Sequence, residues 1–212
     1  MFKRLLMSRT LVIFLILMGI FSQKNYAQEI PNPIEAIKEK KEFIYGIDNR
    51  RTHINGQNAL IYGLYVGIGY GGKLRFKGGF SLTPYERGKS VDEFGVIKKN
   101  RLLFLNIGEE LDYFIYKKIR LTAYLQTGIG FNYHITINAI SKIEVAKGKD
   151  FIVPIEVGTH IGYDILPWFR LKVGGGWRFV RPEYSSDLSG YYIKTGCYFN
   201  SKLFFDTYRK KK

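Results

Sequence analysis

A single cysteine, Cys197, stands in 212 residues, so no internal disulfide framework holds this chain together. Long apolar runs are missing as well. The longest near the N-terminus, residues 11–21, falls short of the roughly 20 residues that a membrane-spanning helix needs. Only three histidines occur, none paired at metal-ligand spacing, and there is no acidic loop of the calcium-binding type. No metal site and no cofactor is therefore expected. The stretches "GKLRFKGG" and "VGGGWR" combine glycine with basic residues, but they lie inside strand-like sequence and lack the strand-to-helix context of a phosphate loop. Acidic residues are few, 18 against 33 basic ones, for a net charge of +15.

The N-terminus carries an export pattern. Lys3, Arg4 and Arg9 precede the apolar run, and the more polar "SQKNYAQ" follows it. This predicts a signal peptide over residues 1–27, cut after Ala27, although Asn25 departs from the usual small residue. The alternative, an uncleaved anchor, conflicts with the shortness of the run. Removing 1–27 takes away Lys3, Arg4, Arg9 and Lys24 and no acidic residue, so the net charge falls from +15 to +11. Export argues against nucleic acid as the partner of that charge.

The mature chain is rich in aromatics and glycine, with 16 Tyr, 16 Phe and 23 Gly in the full sequence. Written with period two, "LIYGLYVGIGYGG" (60–72) separates into Leu60, Tyr62, Leu64, Val66, Ile68 and Tyr70 on one face. The other face carries Ile61, Gly63, Tyr65, Gly67, Gly69 and Gly71. The same division into an apolar side and a glycine-rich, polar side recurs over 74–82, 121–133, 151–165 and 169–179. A soluble sandwich or lipocalin would bury the apolar side and place the glycines in water for no gain. Turned inside out, the apolar stripes face lipid, aromatics lie at both interfaces and the polar side lines a lumen. Stripes of about ten residues also match tilted strands that cross a bilayer. Eight strands leave an interior just wide enough for side chains, and glycines there provide room for the large ones.

The expected architecture is all-β: an eight-stranded antiparallel up-and-down transmembrane β-barrel with short periplasmic turns and longer external loops. The strands are read at about 43–53, 58–70, 73–83, 101–116, 119–133, 151–165, 168–180 and 190–206. Three features strain the pattern. The first strand's apolar side gives way to Asn49 and Arg51, which leaves open whether 43–53 belongs to the barrel. Glu109 falls on an apolar side and predicts a bulge or a rim position. Ser201 interrupts the last strand. The expected organisation is a signal peptide (1–27), a periplasmic lead-in (28–42), the barrel (43–208) and a basic tail (209–212), with long polar loops at 84–100, 134–150 and 181–189.

The stretches "GIDNRRTHINGQNALIYGLYVGIGYGGKLRFKGGF" (46–80) and "VPIEVGTHIGYDILPWFRLKVGGGWRF" (153–179) resemble the small outer-membrane β-barrel proteins of the Bacteroidetes type, with the OmpA/OmpX-like barrel architecture. The resemblance implies an outer-membrane location and says little of activity; some relatives are grouped with barrels that assist secretion. Many barrels end on a terminal aromatic, whereas here Phe205 or Tyr208 has to serve.

The richest candidate site is the lumen. Pairing Asp164 with Arg170 across the 165–169 turn sets His160 opposite Gly174 and Glu156 opposite Arg178. Arg75 and Lys77 are placed to meet Glu110 and Asp112, and Lys172 shares the inward phase. These ten residues are expected to form a charge-neutralising network in a narrow core; a proton or ion path is the functional alternative. A lipid A- or phospholipid-modifying enzyme is a second class, resting on His134, Ser81 and a rim carboxylate among Asp92, Glu93 and Asp150. An accessory barrel of a secretion machinery is a third. Catalysis is not the favoured expectation. Expected partners are outer-membrane lipid and lipopolysaccharide, the latter through basic residues of loop 84–100 (Arg87, Lys89, Lys98, Lys99), and an unknown periplasmic or surface protein.

Overall fold

The computed structural model describes residues 33–54, 57–84, 95–182 and 188–209. The expected signal peptide, the first part of the lead-in, most of loops 84–100 and 181–189 and the last three basic residues lie outside the described residues.

A short helix α1 (Pro33–Lys38) leads into eight strands: β1 (Lys41–Ile54), β2 (Gln57–Tyr70), β3 (Leu74–Leu82), β4 (Val96–Tyr116), β5 (Ile119–Asn138), β6 (Glu144–Leu166), β7 (Phe169–Arg181) and β8 (Gly190–Asn200). Each pairs antiparallel with its sequence neighbours, and β1 closes the ring against β8. The first strand, the weakest in the sequence, is therefore the closing strand. Following paired residues from Gly190 through Arg178, Glu156, Gln126, Gly108, Lys77, Gly67 and Ile44 leads back to β8 at Asn200. The ladder thus climbs ten residues, from 190 to 200, per circuit, which is the stagger that tilts the strands and fixes the barrel's width.

Side chains alternate as the period-two pattern requires. In β1, Ile44, Asp48 and Arg50 are buried while Phe43, Tyr45 and Ile47 are exposed. The exposed surface is the apolar one: Leu64, Val66, Leu105, Ile107, Ile129, Val173 and Ile193 all point outward. Tyr113, Tyr163, Phe169 and Phe199 edge this band at the end with tight turns. Tyr62, Phe131, Phe151, Trp177 and Tyr191 edge it at the loop end. The turn end is tight because its chemistry allows it: Gly71 and Gly72 both take positive φ (57° and 64°) at the centre of a turn that the Lys73 amide closes by donating to the Tyr70 carbonyl at 3.0 Å.

Four expectations are corrected. The expected polar loop 134–150 is mostly strand: β5 and β6 run on as a hairpin to a turn at 139–143. The β-branched residues Ile135, Thr136, Ile137 and Val145 favour extension there despite the polar neighbours. Asn138 closes the turn, its Oδ1 accepting from the amides of Ile140 (2.9 Å) and Ser141 (3.0 Å). β4 likewise begins at Val96 instead of 101, so three strands rise past the rim as a wing.

The last strand ends at Asn200 instead of running to 206, and Ser201–Arg209 form a helix, α2. Asn200 is its cap, accepting from the Leu203 amide at 3.1 Å. Phe205 consequently lies on a helix, and the last outward aromatic of β8 is Phe199, stacked on Tyr45 (centroids 5.3 Å) and packed on Phe169 (4.8 Å). Glu109 sits at neither bulge nor rim. It is in register between Phe76 and Leu125 on the outward phase, and the ladder's shift falls later, between Asp112 and Phe114.

Candidate functional site: the charged lumen

The inward phase of the strands fills the lumen in layers. β4 runs from Leu102 and Phe104 through Asn106 to Glu110 and Asp112; β6 runs from Ile152 through Glu156 to His160 and Asp164; β7 climbs from Arg170 and Lys172 to Arg178 and Val180. Polar layers therefore occupy the turn end and middle. An apolar plug closes the loop end, built from Ile54, Ala59, Ile61, Leu102, Phe104, Ile152, Val180 and Leu188.

Nearest the turn end, Asp112 gathers three arginines. Arg75 grips both of its carboxylate oxygens, while Arg120 (3.3 Å) and Arg170 (3.5 Å) approach one of them. Thr122 donates to the other at 2.7 Å. Asp164 completes the cluster, taking Arg170 at 2.5 Å and Arg120 at 2.8 Å. One layer up, Glu110 is shared by Arg75 (3.1 Å), Lys77 (2.7 Å) and Lys172 (3.4 Å). Above that, Asp48 holds Arg50 and Lys194, each at 3.0 Å. Glu156 then pairs with Arg50 (3.1 Å) and Arg178 (3.8 Å), and Arg178 Nε donates to the Leu188 carbonyl at 2.9 Å beneath the plug.

Among the described residues, seven buried cationic side chains face four buried acidic ones, so carboxylates alone do not balance this lumen. Tyrosine rings take up part of the surplus. Lys77 and Lys172 lie 5.0 and 4.8 Å from the Tyr65 ring centroid, Lys194 lies 4.3 Å from Tyr124, and Arg170 lies 4.9 Å from Tyr198. Cation–π attraction grows on desolvation, which suits these dry positions. The rings fit because each lies across a glycine of the next strand. Gly46 pairs with Tyr65, Gly158 with Tyr124 and Gly176 with Tyr192. A Cβ on those glycines would come within 2.4, 2.6 and 2.9 Å of the respective phenolic oxygens. That is the use of the glycine-rich face.

All ten residues singled out in the sequence face inward, and nine of them meet an opposite charge. The tenth, His160, is buried opposite Gly174 and against the Tyr124 ring (5.6 Å), with no hydrogen-bonding partner at either nitrogen among the described residues. Sequence reasoning missed Asp48, Arg50, Arg120 and Lys194. The first two stand on the inward phase of β1, where attention to the failing outer face at Asn49 and Arg51 hid them.

The rim set does not assemble. Ser81 is fully buried in the lumen, receiving bonds from Arg50 (3.1 Å) and Asn106 (2.9 Å). His134 is on the wing, its Nδ1 3.2 Å from Asp150. Ser81 pairs with Phe104, which pairs with Gly130, four residues short of His134 on β5. Two strand spacings and four residues separate serine from histidine by roughly 16 Å.

With this geometry the chain aligns over about three quarters of its length with solved structures. A major outer membrane protein from Thermus thermophilus superimposes with a TM-score of 0.51 at 7% identity, covering 76% of this chain and 100% of that one. The N-terminal β-barrel domain of Pseudomonas aeruginosa OprF gives 0.50 at 12% identity, covering 76% and 99%. The fold is that of the eight-stranded outer-membrane β-barrels. Neisserial surface protein A is also similar, with a TM-score of 0.47 at 12% identity over 75% of this chain and 96% of that one. No family model and no curated protein matches the sequence. At these identities the likeness extends to the barrel and stops there.

Proposed function

We propose that the protein is a non-conducting, non-enzymatic outer-membrane barrel with a structural or surface-interaction role, the wing of β4–β6 being its contact surface outside the cell. The observation that carries this reading is the pairing of an outward apolar band with a lumen that is charged, packed and plugged. Charged residues inside and apolar ones outside invert a soluble barrel, and among β-sheets only a closed barrel satisfies every backbone group in hydrocarbon. In this reading the tight turns are periplasmic, and lipopolysaccharide and phospholipid surround the wall. The chain reaches this site by export, with 1–27 removed, and the resemblance to Bacteroidetes-type barrels fits such a cell envelope.

The plug gives the reading its test. Reconstituted in planar bilayers, the wild-type protein is expected to show no discrete conductance steps at any moderate voltage. Reproducible single-channel steps would contradict a sealed lumen and restore the ion-path alternative.

A second expected outcome concerns Glu109, the carboxylate on the lipid-facing wall. Acidic residues there cost less than basic ones but still destabilise. Glu109→Leu is therefore expected to raise the unfolding free energy in lipid vesicles, by up to about 2 kcal/mol. A loss of stability in urea titrations would mean that the wall at Glu109 does not face lipid.

A further inference from the structure

Just beyond the apolar band, the outward face of the wing turns basic. Leu103, Phe131 and Phe151 form one cross-strand row of β4, β5 and β6. The next row is Arg101, Tyr133 and Lys149, and the one after it Lys99, Ile135 and Lys147. Their inward neighbours fix the direction: Asn100 and Asn132 are buried and bonded to each other at 3.3 Å. Asp150 turns inward to His134, and Glu144, the other carboxylate of this part of β6, pairs with Ile137 beyond the Lys147 row, so the two rows themselves carry cations and no carboxylate. Lys149 bends back along the wall, its Nζ 3.7 Å from the Phe131 centroid, so its charge sits at the apolar boundary. With strands about 4.8 Å apart and about 3.3 Å per residue, the backbones of Lys99, Arg101, Lys147 and Lys149 mark the corners of a rectangle of roughly 10 by 7 Å.

We propose that this face binds the phosphate groups of a glycolipid of the outer leaflet, an inference that rests on the membrane reading above. The charge asks for an anion, and the continuity of the face decides its source. A lipid whose chains lie on Leu105, Ile129 and Phe151 places its headgroup on the basic rows directly above, whereas a free anion gains nothing from the apolar half. The site lies on strands and is separate from most of the 84–100 connection that the sequence pointed to, sharing only Lys99 with it.

The test counts lipids held by the full-length mature protein in neutral detergent, by native mass spectrometry. Three probes are used: lipid A with both phosphates, the same lipid stripped of phosphate, and phosphatidylglycerol. A basic residue beside an anionic surface contributes about fivefold to binding. Lys149→Gln alone is thus expected to weaken lipid A retention about fivefold, and the variant with Lys99, Arg101, Lys147 and Lys149 all changed to Gln by more than about a hundredfold. The dephosphorylated lipid is expected to bind the wild type as weakly as lipid A binds that variant. A control with Lys41, Lys73, Lys117 and Lys118 changed to Gln removes the same charge at the turn end and is expected to keep its lipid A. Equal loss in the control, equal retention of phosphatidylglycerol, or displacement by excess inorganic phosphate would each overturn the assignment. Heat-modifiable gel mobility is read on every sample. An intact shift with retention unchanged in the fourfold variant sinks the lipid site alone, whereas no shift in the wild type sinks the barrel reading beneath it.

Discussion

An Asp112→Asn variant is expected to lose about 3–5 kcal/mol of unfolding free energy, the cost of breaking a buried ion pair from one side. Asp112 is wholly buried, and Arg75, Arg120 and Arg170 converge on it with Thr122. Asparagine keeps the volume and one acceptor but removes the charge that three guanidinium groups share. Arg120 and Arg170 retain Asp164, and Arg75 retains Glu110, so the barrel is expected to be weakened and not abolished. The contrast is Lys172→Met, which subtracts one cation from a lumen that already has a surplus and leaves Glu110 with Arg75 and Lys77. Its cost is expected to be far smaller. Urea unfolding of both variants in the same lipid decides the matter: equal losses would show that the scarce anion matters no more to the lumen than one of its surplus cations, and would contradict this account.

The second large effect lies on the other side of the wall. Leu64 is half exposed on β2, flanked across the strands by Ile47 and Phe80 in the middle of the apolar band. Leu64→Arg is expected to cost about 2–4 kcal/mol in a bilayer, the penalty for a cation near the midplane. At an exposed position of a soluble barrel the same change would be close to neutral, since surface substitutions usually fall within about 0.5 kcal/mol. Measured in vesicles by urea titration, the size of the loss reports directly on what the wall touches.

Period two carried most of the fold. Each strand's two faces could be separated because the lumen is rich in glycine and charge, while the wall is largely aliphatic and aromatic. The β6–β7 register followed from Asp164 and Arg170, and it placed Glu156 opposite Arg178 and Trp177 beside Val157 as the ladder has them. Two kinds of information were harder to read. At the wing, Ile135 and Ile137 alternate with polar residues that would suit a loop equally well, and only pairing with β4 and β6 decides for strand. At the C-terminus the outward phase continues numerically through Leu203 and Phe205, so the change to helical period shows only in the cap at Asn200. The network's charge-rich centre was partly legible. Asp48 and Lys194 lie at opposite ends of the sequence, and their meeting depends on closure between β1 and β8, which no local pattern announces.

The inside-out barrel is tested most directly by the heat-modifiable gel mobility of the protein taken from isolated outer membranes. An intact barrel keeps its shape in mild detergent and runs at an apparent mass different from that of the boiled chain. The account predicts that the protein fractionates with outer membranes and shows this shift. A protein recovered in the soluble periplasm, running identically before and after boiling, would contradict it.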